Sequence, residues 1–173
     1  NVKRYRNGAA DGLWRWCLFD LDWAFTTDTN SIGRWLTPGG MGNMNRTDNT
    51  LFIACMKNPR FRDEFLTYMG ELMSTTCTTR YIYDATMARY EELLPEMEAH
   101  CAAWGEYMNG YSVNKFTNDT KSFLKYAYQR PTKLLGYFQS SMNLTDAEMQ
   151  KYFSGAYEAI AEFEEFYKNG LGG

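Results

Sequence analysis

Asp20 and Asp22 stand one residue apart inside the aromatic run LWRWCLFDLDWAF, which spans Leu13–Phe25. An apolar strand ordinarily excludes carboxylates, because a buried unpaired charge is costly. Two physical explanations are open. The acids may cap the strand end against water, a nearby Arg or backbone N–H groups, or they may face a cation. Strand alternation puts Trp14, Trp16, Leu18, Asp20 and Asp22 on one face. Same-face neighbours lie roughly 7 Å apart, from a rise of ~3.3 Å per residue, so both acids can address one cation or two adjacent ones. A hard ion such as Mg²⁺ suits oxygen donors of this kind and shares one or two carboxylates with substrate phosphates.

The elements that must position these acids begin with a β-hairpin. Val2–Arg6 and Leu13–Phe19 flank NGAADG, a cluster of turn-forming residues. Asn1 then falls on the strand paired with the acidic one. From Thr26 to Asn49 the sequence is loop-like, with TPGGMGNMN at its centre, and a segment of this length is expected to be functional or mobile.

The remainder predicts helices. A short one covers Thr50–Lys57. Asn58 as N-cap and Pro59 at the first helical position open the next, with Phe61, Phe65, Tyr68 and Leu72 as its buried stripe. Tyr83, Met87, Tyr90, Leu94, Met97, Cys101 and Trp104 follow helical spacing, and Pro95 should kink or split that helix. Another runs from about Asn114 past Phe123 and Ala127, is interrupted near Arg130-Pro131, and resumes through Leu134 and Phe138. Thr145 and Glu148 form a capping box for a last helix with Phe153, Ile160 and Phe163 inward. The expected fold class is α+β, mainly α: an N-terminal hairpin followed by a helical lobe, in a single domain covering 1–173.

Composition narrows the function. With 173 residues, 45% hydrophobic and 17% aromatic, the chain has material for a true core. A net charge of −3 without a dense Lys/Arg block argues against a nucleic-acid partner. No apolar run reaches the roughly 20 residues of a membrane helix. The cysteines (Cys17, Cys55, Cys77, Cys101) are scattered, and His100 is the single histidine, so a structural zinc site is not expected. Free, mostly buried thiols are the expectation, with disulfides left open. His100 reads as a helix-surface residue. Asn45, Asn118 and Asn143 head N-x-T sequons, which matter only in a secretory pathway. Trp14, Trp16 and Trp23 read as core. Lys3, Arg4 and Arg6 could touch phosphate or an acidic substrate, or be solvated. Arg130 reads as ion-paired within the helical lobe.

NVKRYR, GLWRWCLFDLDWAF, NPRFRDEF and the Arg130-centred FLKYAYQRP together resemble the C-terminal part of the CotH kinase family, atypical kinases named for spore-coat protein H. The resemblance implies a lobe like that of protein kinases. It makes Asn1 the metal-binding asparagine and Asp20 the aspartate ending the next strand, with Asp22 a supporting or second-metal acid. Which of Asp20 and Asp22 is the principal ligand stays open. It also implies Mg (or Mn) and ATP as cofactors, a protein phosphorylated on Ser/Thr as partner, and a spore-surface or secreted location. The catalytic Asp, the glycine-rich loop and the ATP-gripping lysine have no counterpart here. The chain is therefore expected to be a fragment lacking its upstream lobe, with no catalytic residue of its own and no activity alone. A non-catalytic helical interaction domain and a nucleotide-sugar transferase are the alternatives.

Overall fold

The computed structural model of the protein describes residues 3–17, 29–40 and 49–170. Turn chemistry shapes its first element. Strands β1 (Lys3–Arg6) and β2 (Trp14–Cys17) pair antiparallel, with Arg4 opposite Trp16 and Arg6 opposite Trp14. Between them Asn7 Oδ1 accepts from the Ala9 amide at 3.0 Å, and Gly12 takes a positive φ of 68° that an L side chain disfavours. Only helices follow: α1 (Ser31–Leu36), α2 (Thr50–Met56), α3 (Pro59–Ser74), α4 (Thr79–Leu93), α5 (Met97–Trp104), α6 (Val113–Met142) and α7 (Asp146–Gly170). The expected hairpin and helical lobe are thus present. No helix among the described residues is long and apolar enough to cross a membrane.

Local signals start the helices as read. Asn58 Oδ1 accepts from the Arg60 amide at 3.0 Å, with Pro59 at the first position of α3. The capping box closes reciprocally: Thr145 N–H donates to Glu148 at 2.9 Å, and Glu148 N–H donates to Thr145 Oγ1 at 3.2 Å. The Thr145 amide, followed by its hydroxyl, holds the Glu148 carboxyl below the usual range. Pro95 splits the long helix, as anticipated, into α4 and α5 around a 3₁₀ turn at Leu94–Glu96.

The face of α3 differs from expectation. Phe61 and Tyr68 are exposed, while Leu66, Gly70 and Met73 are buried. The cause lies in α7. A Cβ on Gly70 would sit 1.8 Å from the Tyr152 carbonyl oxygen, and one on Gly155 would come within 2.9 Å of Ser74. These glycines let two backbones approach until Leu66, Met73, Phe138, Met149 and Phe153 close into one core, with Phe138 and Phe153 ring centroids 4.9 Å apart. At its margin Asp63 accepts from Lys151 and from the Tyr152 hydroxyl, each at 2.6 Å.

The interruption expected at Arg130-Pro131 does not occur; α6 runs through Pro131 unbroken. Proline lacks the N–H that would bond the carbonyl four residues earlier, which is that of Ala127. The buried Thr79 hydroxyl, at the first position of α4, donates to that carbonyl at 3.2 Å instead. Cys55, Cys77 and Cys101 are free, but none of the three is buried as expected: Cys77 is exposed, and Cys55 and Cys101 are half-buried.

Gly70→Ala should lower stability by about 1–3 kcal/mol, because the obstructing atom is backbone and cannot rotate away. Gly136→Ala, whose Cβ would meet nothing within 4 Å, should gain roughly 0.5–1 kcal/mol; urea titrations of both variants check this. Thr79→Val should cost about 1–3 kcal/mol by orphaning the Ala127 carbonyl. In a Pro131→Ala background the restored N–H should remove most of that cost. A double-mutant cycle with full additivity would refute the assignment.

Candidate functional site

Asn1, Asp20 and Asp22 lie outside the described residues, as does Trp23. Their donor chemistry, an amide oxygen and two carboxylates, fits a hard divalent cation. Among the described residues no three His, Cys, Asp or Glu side chains gather as a metal site. The strand that leads to the acids is fixed by its turn. Asp11 forks onto the Arg15 guanidinium, one bond being 2.8 Å, and accepts from the Leu13 amide at 3.0 Å. The Arg15 contact, then the Leu13 amide, lowers the Asp11 pKa to about 2. Trp14, expected in the core, is 62% exposed on this hairpin.

Downstream of the acids, the expected loop of Thr26–Asn49 contains a helix. Six residues cannot hold a helix by themselves, so α1 exists because its ends are tied to the lobe. At its start Asn30 Oδ1 accepts from the Gly33 amide at 2.8 Å, while its Nδ2 donates to Ser141 Oγ at 2.9 Å on α6. Arg130 reaches the same end from α6. Its guanidinium donates to the Thr29 carbonyl at 2.9 Å and to Ser31 Oγ at 3.1 Å, and it lies 5.6 Å from the Tyr137 ring centroid. These hydrogen bonds give Arg130 a part that residue type alone did not reveal.

At the other end, Asn49 precedes α2 but does not cap it. Its buried amide turns back to α1 and donates to the carbonyls of Trp35 at 2.8 Å and Thr37 at 2.7 Å, with Arg34 at 3.3 Å. The last carbonyls of a helix have no partner within it, and Asn49 supplies one from outside. Trp35 meets Phe52 edge-on at 6.0 Å yet remains 36% exposed, and Leu36 is half-buried. An apolar cavity of about 390 Å³ lies between Ile32, Trp35, Phe52, Phe65 and Met69.

A second concavity, about 1040 Å³ and open to solvent, runs between α4 and α6. Tyr90 stacks on Phe116 at 5.3 Å along it, with Arg89, Asp119 and Lys125 at the rim. Burial, followed by the Asp119 charge, raises the Tyr111 phenol pKa there. The helical stripe through Tyr90 was legible in the sequence, but its pairing with α6 needs the fold. His100 is on the surface of α5, as read.

The family model described as CotH kinase protein matches residues 1–134. That span holds Asn1, Asp20, Asp22, the hairpin, α1 to α5, and α6 through Arg130 and Pro131. No curated protein and no solved structure matches the chain.

The Asn49 clamp has a pH signature. Asn49→Leu should cost about 1–3 kcal/mol at every pH by leaving carbonyls unpaired. Asn49→Asp should cost more at pH 7, because an anion would face those carbonyls and its folded pKa would be raised. Stability should then return as the pH falls below the ordinary carboxylate value and vanish as it rises through the raised one. Urea melts of both variants against the wild type at pH 4 and pH 7 distinguish the cases; equal deficits would contradict the clamp.

Proposed function

The chain belongs to the CotH kinase protein family, and from that premise we propose that it supplies the metal-binding half of a phosphoryl-transfer site. In the full-length protein the reaction is Mg-dependent transfer of the ATP γ-phosphoryl group to Ser/Thr of a protein substrate. The observation that carries this reading is the family match across the stretch holding Asn1, Asp20 and Asp22, joined to a hairpin followed by a helical lobe. Asn1, Asp20 and Asp22 would hold a divalent cation such as Mg²⁺, which when bound would supply positive charge against the negative charge developing during transfer.

The chain's own residues are assigned as follows. Asn1, Asp20 and Asp22 supply oxygen donors. The hairpin register and the Asp11–Arg15 fork set β2, which precedes the acids in sequence. The helical lobe provides a rigid base, since phosphoryl transfer depends on positioning and electrostatics rather than on covalent chemistry by the protein. A catalytic aspartate and an ATP-gripping lysine are also required, and no residue here is assigned to either. The isolated chain is accordingly expected to be inactive.

Asp20→Ala in the full-length protein tests the reading. Several kcal/mol of charge stabilisation, at about 1.4 kcal/mol per tenfold, predicts a fall in Mg-dependent transfer of about a hundredfold or more. Mn²⁺ binding followed by electron paramagnetic resonance should weaken in parallel, while the melting temperature holds. Asp22→Ala alongside ranks the two acids. A sharp drop in melting temperature with transfer preserved in the folded fraction would make Asp20 structural.

A further inference from the structure

Segment 29–40 follows the candidate metal acids in sequence, and its polar groups are met by the lobe itself. Arg130 holds the Thr29 carbonyl and the Ser31 hydroxyl, Asn30 holds Ser141, and Asn49 holds the final carbonyls. Thr37 Oγ1 donates to the Gly33 carbonyl at 2.8 Å, so the hydroxyls of Ser31 and Thr37 are both engaged. The fit is close as well. A Cβ on Gly33 would come within 3.1 Å of Ser141 Oγ on α6. A helix this short is coil in isolation, so its order is a measure of docking.

We propose that residues 29–40 are docked on the helical lobe constitutively, with Arg130 and Asn30 as positioning residues, so that their order requires neither added phosphate nor bound nucleotide. The anchors are already satisfied by unmodified side chains and backbone. A switch that orders a segment through phosphorylation works by creating new Arg–phosphate pairs. Here the guanidinium already has its acceptors in the unmodified chain. The inference rests on the phosphoryl-transfer reading only for its consequence, that the site is not gated by modification of this segment.

Hydrogen exchange at the Gly33–Thr37 amides tests it, in full-length protein treated with phosphatase and free of nucleotide. These amides should exchange at least about tenfold more slowly than an unstructured peptide. Arg130→Gln and Asn30→Ala each remove two hydrogen bonds and should speed them by about fivefold or more, the population change that loss of even one produces. Amides around Phe153 in α7 should keep wild-type rates, and Arg130→Lys should recover part of the protection. If Arg130→Gln does not fold, Asn30→Ala carries the comparison. Peptide-like exchange in the wild type overturns the proposal. So does protection that appears only with phosphate on Ser31 or Thr37, or only with Mg-nucleotide. Protection without any phosphoryl transfer would sink the proposed function and leave the docking; transfer without protection would do the reverse.

Discussion

One backbone carbonyl, that of Ala127, organises the helical lobe. Pro131 removes its natural donor, and a buried carbonyl without a partner would cost enough to break the helix there. The Thr79 hydroxyl fills the gap, and in doing so fixes the start of α4 against the middle of α6. α6 can therefore remain one long helix and serve four neighbours. Ala127 faces α4, Leu135 and Phe138 enter the core with α3 and α7, and Arg130 and Ser141 hold α1. An interrupted α6 would dissociate these roles, since Arg130 and Phe138 would no longer share one rigid axis.

The core formed with α7 follows a different logic, in which absent side chains matter most. Gly70 and Gly155 bring α3 and α7 close enough for Phe138 and Phe153 to interdigitate. Beyond this core the contacts become aromatic and half-exposed. Tyr83 packs on Phe163 and Phe166, and Arg80 lies over the Phe166 ring at 4.1 Å. The buried core thus lies where α3, α6 and α7 meet, and α1 and α4 are secured to that centre by hydrogen bonds together with the packing of Ile32 and Tyr83.

What the sequence disclosed follows the range of the interactions involved. The Asn58 cap, the Thr145–Glu148 box and the Pro95 break depend on residues a few positions apart, and all three were legible. The buried face of α3 was misread in favour of Phe61 and Tyr68, because a glycine contact with a distant helix outranks local hydrophobicity. Continuity at Pro131 depends on Thr79, far away in sequence, and no local pattern carries it. α1 escaped notice because it is shorter than the window in which helical periodicity shows. The candidate acids stood out by residue type alone: carboxylates in an aromatic strand are costly without a partner. Arg130 reads from the sequence as ion-paired within the lobe, yet its acceptors on Thr29 and Ser31 are invisible without the fold.

Charge distribution bears on how such a chain would handle phosphate. A protein can neutralise phosphate with basic side chains or with a metal held by acids. Many of the basic groups here meet acids of the same chain: Arg15 meets Asp11, Arg60 meets Glu64, Arg80 meets Asp84, Lys115 meets Asp119 and Lys151 meets Asp63. Arg130 donates to α1. Exposed pairs of this kind add little stability, but they lower the positive potential that would draw an anion. With a net charge of −3 over the whole chain, attraction of a nucleoside triphosphate by the protein field alone is unfavourable. A divalent cation carried in with the nucleotide reverses that sign locally. On the proposed reading, Asp20 and Asp22 would act through such a cation, a route that does not require lysines and arginines to grip the phosphates.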